Sequence, residues 1–267
     1  MAARDTYTVT VLLDVNGIQN IDDRAESRTY IVADRDSGKA IIIDAVIENL
    51  ERDLKIIEEL GLTLIFAVET HIHADHITGA WKMKDRTGAH IVYGGGSQGI
   101  VTGVDMFLHE GQELHFGNTK MKALATPGHT DSCTSYLLPG AVFTGDTLFI
   151  RGNGGTDFQD GSADKLFDSV RMKLFALPDD TIVYPGHDYN GRVSSTIGEE
   201  KQFNERLNLS IGKETFVEMM NRRTKPRPAK MDLALPANMT AGRVVGEDTG
   251  VNPGHRSALQ LDETPRP

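Results

Sequence analysis

The chain has 267 residues, 39% of them hydrophobic, and a formal net charge of −10. That length and apolar content supply one large core or two small ones, while the acidic balance argues against nucleic acid or an acidic membrane as a general partner. No apolar run approaches the roughly 18 residues of a membrane-spanning helix, and the single cysteine, Cys133, excludes an intrachain disulfide or a thiolate cluster and reads as a small buried hydrophobe.

The N-terminal stretch "MAARDTYTVT" has neither the apolar core of a signal peptide nor the Arg/Ser-rich texture of a transit peptide, so the cytoplasm is the expected location. "TYIVAD" and "KAIIIDAV" read as strands joined by the turn "DRDSGK". In "NLERDLKIIEELGL" the spacing of Leu50, Leu54, Ile57 and Leu60 predicts a helix that stops at Gly61. "TLIFAVET" is a buried strand that runs straight into "HIHADH". Further β-like segments follow at "AHIVYG", "ELHFG", "MKALATPG", "TSYLLPG" and "AVFTGD". "KLFDSVRMKLFALP" carries Leu166, Val170 and Leu174 on one side of a helix, and "DDTIVYPG" is another strand. Mixed strands with covering helices predict a layered α/β domain. From about residue 196 the texture becomes helical, and "RRTKPRPAK" is basic and broken by prolines, a solvated loop or, alternatively, an anion-binding one. Residues 1–245 are expected to form one domain with this helical extension, and 246–267, poor in large apolar residues, a disordered tail or linker.

Ligand-type side chains recur at the ends of the strands. His71, His73, Asp75 and His76 follow the strand at 63–70, and three more apolar strands run out into His129, Asp146 and His187. One histidine after a strand is commonly a hydrogen-bonded structural residue, but four strand ends each presenting His or Asp point to a metal site, since α/β sheets bind ligands at their carboxyl edges. If the chain at 71–73 is extended, His71 and His73 point the same way and could face one ion, with Asp75 and His76 at the turn into the next helix. The spacing differs from the His-Glu-x-x-His of metalloprotease helices. Nitrogen and oxygen donors without sulfur suit Zn, Fe or Mn.

The pattern His-x-His-x-Asp-His with the later His, Asp and His resembles the metallo-β-lactamase superfamily over about residues 28–190. That resemblance implies an αββα sandwich with a metal site at one edge of its two sheets. "THIHADHITG", "PGHT", "FTGD", "IRG", "TDFQ", "YPGHDYNG" and "LPANM" together resemble the persulfide (sulfur) dioxygenases, extending the likeness to about residue 243. What this implies is one Fe(II) per chain held by His71, His129 and Asp146, oxidising glutathione persulfide with O2 and water to sulfite and glutathione. A homodimer is the candidate assembly. By the same resemblance His73, Asp75, His76 and His187 support the iron ligands, Thr130 and Tyr189 lie near the substrate, and Tyr136 is core. Two histidines and a carboxylate leaving open positions are also what Fe(II) oxygenases use.

The rival resemblance is to glyoxalase II, which uses the same seven ligand types to hold two metals, such as two Zn, and to hydrolyse glutathione thioesters. The loop "TLFIRGNGGTDFQ" and the short C-terminal part ending in "LPANM" favour the dioxygenase pattern. A metal-binding module without activity is a third class, and a nuclease is disfavoured by charge. One departure bears on the carrier. Where the family carries an arginine thought to grip a glutathione carboxylate, this chain has Gly155, and Arg151 and Arg192 are the nearby candidates to replace it.

Overall fold

The structure is a computed structural model that describes residues 6–15, 26–223 and 226–243. The expected tail at 246–267 lies outside the described residues. Two six-stranded sheets stack face to face. The first has the order β1 (Tyr7–Val15), β2 (Glu26–Asp34), β3 (Lys39–Ile43), β4 (Thr63–Glu69), β5 (His90–Gly94), β6 (Met106–Leu108). The second runs β12 (Ser195–Thr196), β11 (Ile182–Pro185), β10 (Ala141–Gly145), β9 (Thr134–Leu138), β8 (Thr119–Ala125), β7 (Glu113–Phe116).

Period-2 alternation builds the layers. From the first sheet Tyr30, Val32, Ile41, Ile43, Phe66 and Val68 point into the space between the sheets, where they meet Phe116, Met121, Ala123, Tyr136 and Phe143. Their neighbours Ile31, Ala40, Ile42, Leu64 and Ala67 face the other way and are covered with Ile57 of α1 (Leu50–Glu59) and Met83 of α2 (Ala80–Thr87). Both faces of β2, β3 and β4 are therefore buried, which is why they read as continuous apolar runs. The outer face of the second sheet is covered by Leu166 of α3 (Ala163–Asp168), by Val170 and Leu174 in the π-helical turn that continues it, by Ile197 of α4 (Ile197–Phe203) and by Phe216 of α5 (Lys213–Asn221). The result is the αββα sandwich the sequence suggested.

The helical texture expected from about residue 196 is realised as α4 and α5, and the chain goes on beyond them. After α4 and α5 the chain crosses to the first sheet, where a further helix, α6 (Met231–Asn238), and Ala241 pack beside α2. Trp81 N donates to Ala241 O at 3.1 Å. "LPANM" is thus the end of a helix locked onto the sandwich. No helix among the described residues is long and apolar enough to cross a membrane.

Candidate metal centre

β3 and β4 are parallel, β10 and β11 are parallel, and β8 runs in the same direction as β10 because each is antiparallel to β9. Their carboxyl ends emerge along one edge of the sandwich. They deliver Asp44, then Glu69 and residues 70–76, then His129, Asp146 and His187. Close approach there requires glycine. A Cβ on Gly154 would lie 2.4 Å from the Asp146 carbonyl and 2.8 Å from His129 Nδ1, and one on Gly186 would lie 2.4 Å from Asp146 Oδ1.

His71, His129 and Asp146 form one group, with one donor atom from each lying within 4.8 Å of the others. The hydrogen bonds on their outer atoms fix what they offer. Thr70 Oγ1 donates to Asp44 Oδ2 at 2.8 Å, so the same oxygen is left to accept from His71 Nδ1 at 2.9 Å. His129 Nδ1 lies 2.7 Å from the Gly155 carbonyl, which can only accept. Both rings therefore use Nδ1 as the donor and leave Nε2 as the atom that can face a metal. Burial, reinforced by the neighbouring His73 charge, holds His71 well below its ordinary pKa, so it is neutral as a metal ligand must be. Asp146 points Oδ2 towards His129 Nε2 at 3.5 Å and accepts from His187 Nδ1 through Oδ1 at 2.8 Å. Burial alone would raise its carboxyl, but the His187 charge and hydrogen bond outweigh this and keep it ionised. Two bare nitrogens and one carboxylate oxygen, each braced from behind, fit a single divalent metal.

The other candidates are arranged differently. His73 Nε2 lies between Asp44 Oδ1 at 3.1 Å and Glu69 Oε2 at 3.2 Å. Burial disfavours its charge, yet these two carboxylates raise it well above the ordinary histidine value. His187 gives Nδ1 to Asp146 and Nε2 to Asp75 Oδ2 at 3.1 Å. Against the cost of burial, Asp146 raises it in the same way. Asp75 Oδ2 also accepts from His76 Nδ1 at 3.2 Å. His73, Asp75 and His76 form a second group of donors within 4.8 Å of one another, and Asp44, Glu69 and His73 a third. The expectation that His71 and His73 face one ion therefore needs correcting. Residues beyond β4 are not extended, and although the two rings pack at 4.1 Å, their nitrogens turn to different partners.

Three supporting residues escaped the sequence reading. Asp44 and Glu69 end β3 and β4 just as Asp146 ends β10, so the same strand-end signal could have found them. Asn238 in α6 carried no such signal. Its Nδ2 donates to the carbonyls of His73 and His76, both at 2.8 Å, and its Oδ1 accepts from Thr78 N at 2.9 Å. The C-terminal helix thus clamps the histidine loop.

The residues suggested for substrate are scattered. Tyr189 stacks on His187 with ring centroids 6.0 Å apart and is 54% exposed, at the open side of the centre. Thr130 is buried, with its hydroxyl on Ser132 Oγ and Cys133 Sγ beneath His129. Arg151 is tied to Glu199 and Glu200, and Arg192 to Asp188 and the Ile150 carbonyl. Ion pairs within the fold engage both guanidiniums, which remain partly exposed. Tyr136 is core, its hydroxyl donating to the Glu69 carbonyl at 2.9 Å.

A profile of the metallo-β-lactamase superfamily matches residues 23–187. The chain is 42% identical over 221 residues to the persulfide dioxygenase ETHE1, mitochondrial, of Homo sapiens, covering 80% of this chain and 84% of that protein. It is 40% identical over 231 residues to the same enzyme of Bos taurus, covering 84% and 87%. A hydroxyacylglutathione hydrolase of Brucella ovis is 37% identical over 179 residues, covering 65% and 68%. The crystal structure of ETHE1 from Myxococcus xanthus superposes with a TM-score of 0.82 at 42% identity, covering 88% of this chain and all of that one.

Proposed function

This chain belongs to the metallo-β-lactamase superfamily and to its branch of persulfide dioxygenases, and on that premise we propose that it is a mononuclear iron enzyme that oxidises glutathione persulfide. The observation that carries the reading is the state of His187. Both its nitrogens are held by carboxylates, Asp146 and Asp75, so it neutralises charge behind the ligands and offers no lone pair. His71, His129 and Asp146 are the set with donors bare and aimed together, and two nitrogens with one carboxylate on open coordination suit Fe(II) oxygen chemistry.

The reaction balances as persulfide, O2 and water giving thiol, sulfite and two protons, with four electrons passing from the outer sulfur to O2. Bound iron would supply the place where sulfur and O2 meet. The chain's own residues do the rest. Thr70 and the Gly155 carbonyl fix the tautomers, His187 holds Asp146 in its ionised form, Asn238 holds the loop, and Tyr189 borders the open side.

One observation favours the dinuclear hydrolase as a second reading. His73 Nδ1 and His76 Nε2 are buried without a partner among the described residues, and a second ion near Asp75 would engage them. Metal analysis with an oxygen electrode separates the two. The dioxygenase reading expects about one iron per chain, O2 uptake with sulfite on adding glutathione persulfide, and slow turnover of S-lactoylglutathione. Two zinc ions per chain with fast thioester hydrolysis would replace it with the hydrolase.

A further inference from the structure

The loop between β10 and α3 crosses the metal centre and makes a contact at or beside each of its ligands. Asp146 opens the loop, and Gly154 N returns to the Asp146 carbonyl at 2.9 Å. One residue on, the Gly155 carbonyl lies 2.7 Å from His129 Nδ1. Gln159 Nε2 then donates at 2.8 Å to the carbonyl of Ile72, the residue between His71 and His73. Ser162 N ends the crossing on the Gly128 carbonyl at 2.8 Å, and a Cβ on Gly161 would lie 2.7 Å from the His129 carbonyl. Residues 154–159 thus form a strap that ties together the segments leaving β10, β8 and β4. Its near end is fixed by the buried Asn153, which donates from Nδ2 to the Gly154 carbonyl and accepts from Arg206 Nε, both at 2.7 Å.

The far end of the strap is built against local preference. Gly161 N donates to the Phe158 carbonyl at 2.9 Å, closing a four-residue turn whose central residues, Gln159 and Asp160, have φ of 50° and 57°. Positive φ at both central positions is the type I′ pattern, which glycine, asparagine and aspartate fill because they tolerate the left-handed region. Asp160 suits such a turn. Gln159 does not. Glutamine exceeds asparagine by one methylene, and that reach carries its amide to Ile72. A residue held in this region against its preference persists where its surroundings over-determine it, and such residues gather at functional sites.

We infer that Gln159 is a positioning residue, which through the strap holds the segment bearing His71 in place against His129 and Asp146. The inference rests on the reading of those three side chains as the ligand set. Residues 71–77 lie in neither helix nor strand, so hydrogen bonds to their carbonyls do the work a sheet ladder does elsewhere. Asn238 holds the carbonyls of His73 and His76, and Gln159 holds that of Ile72. Ordering this segment beforehand removes an entropic cost from metal binding. It also fixes where the bound metal sits, and a displacement of about 1 Å at a reacting centre costs about a hundred-fold in rate.

The test compares the wild type with Gln159→Asn, Gln159→Gly and Gln159→Met, with His71→Ala as the reference for a lost ligand. Asparagine and glycine suit the turn better but do not reach Ile72, whereas methionine keeps the length and the strain without the donor. Three quantities are read: Fe(II) affinity by competition with a chelator, the melting temperature of the metal-free protein, and kcat of the metal-saturated protein. Gln159→Asn and Gln159→Gly should match or exceed the wild type in melting temperature, yet bind Fe(II) about ten- to a hundred-fold more weakly, the usual cost of losing a group that orients a ligand. Gln159→Met should lose as much affinity and melt lower. In all three, kcat should fall by about ten-fold or more even when metal is saturating. Unchanged affinity in all three, with His71→Ala binding almost no iron, overturns the inference and leaves the ligand set standing. A fall in affinity confined to Gln159→Met, in step with its melting temperature, would make the side chain structural and overturn the inference too. Iron held by His71→Ala as tightly as by the wild type overturns the ligand set, and the inference with it.

Discussion

The two halves of the histidine cluster use the same residue types, yet they present different chemistry. In one half, His71 and His129 give their outer nitrogens to neutral oxygens, those of Thr70 and Gly155, and keep Nε2 bare. In the other, His73 and His187 meet carboxylates, which hold them as cations against the cost of burial. A neutral acceptor behind an imidazole fixes its tautomer and leaves the lone pair for a metal. At His187 carboxylates at both nitrogens remove the lone pair, and at His73 two carboxylates share Nε2. Residue type therefore marks where metal chemistry can occur, and the partners on the far side decide which nitrogens take part.

The largest expected effect breaks the comparison by removing a side chain from each half. His71→Ala, His129→Ala or Asp146→Ala should leave purified protein with almost no metal and no persulfide-driven O2 uptake. His187→Ala should keep metal, with affinity lowered by about ten- to a hundred-fold, the usual cost of losing a group that braces a ligand. Metal content by mass spectrometry and a competition titration with a chelator read both. Equal metal loss in His187→Ala and His71→Ala would place His187 among the ligands.

Asn238→Ala should come next. It removes two bonds to the carbonyls of His73 and His76 and one from Thr78 N, all buried. Each orphaned group costs about 1–3 kcal/mol. The melting temperature of metal-free protein should fall by several degrees and metal affinity with it, whereas Asn221→Ala, exposed at the end of α5, should change neither. If metal affinity holds while stability falls, α6 supports the fold without positioning the ligands.

How legible this was depends on what each feature is made of. β3, β4 and β10 are apolar on both faces and run out into polar side chains of the centre, so both strand and site could be read from local order. His71, His129 and Asp146 were found this way, and Asp44 and Glu69 carry the same mark. The helical extension was visible, but its last helix was not. α6 is eight residues long with Pro236 inside it, and its role lies in an amide whose partners are some 160 positions away in sequence. The commitment of Arg151 and Arg192 to ion pairs was invisible for the same reason. Glu199, Glu200 and Asp188 are ordinary charges until the fold sets them against an arginine. "RRTKPRPAK" could be read as solvated loop or anion site, and the structure pairs Arg222 with Glu218, Arg227 with Asp232 and Lys230 with Glu48.

The Arg151 pair sets a buried acid against a partly exposed base. Glu200 is fully buried and depends on a guanidinium that is itself 26% exposed. Breaking a buried pair costs about 3–5 kcal/mol, and solvent at the arginine should bring the effect to the low end or beneath it. Arg151→Gln should therefore lower the midpoint of urea unfolding clearly and leave KM for glutathione persulfide within a few-fold. A KM increase of about ten-fold or more would instead place Arg151 at the substrate site.

The smallest effect concerns Cys133, three residues beyond Thr130 under His129. The thiol is buried, Thr130 N donates to its sulfur at 3.3 Å, and burial pushes its pKa up to about 12. It therefore stays protonated at neutral pH and supplies no nucleophile, so Cys133→Ala should leave turnover within a few-fold. The same shift sets a pH signature. The folded value lies above that of an unfolded cysteine, about 8.5, so the thiol's contribution is fully present below that pH and is lost as pH rises towards 12. At pH 10 the unfolded chain gains roughly 2 kcal/mol by ionising a thiol the fold keeps neutral. Urea unfolding at pH 7 and pH 10 should show the wild type losing about that much more stability than Cys133→Ala, although the variant pays a pH-independent cost for the lost sulfur at both. Equal losses in the two proteins would mean that the sulfur ionises in the folded state, and rapid alkylation of native protein at pH 8 would show the same thing directly.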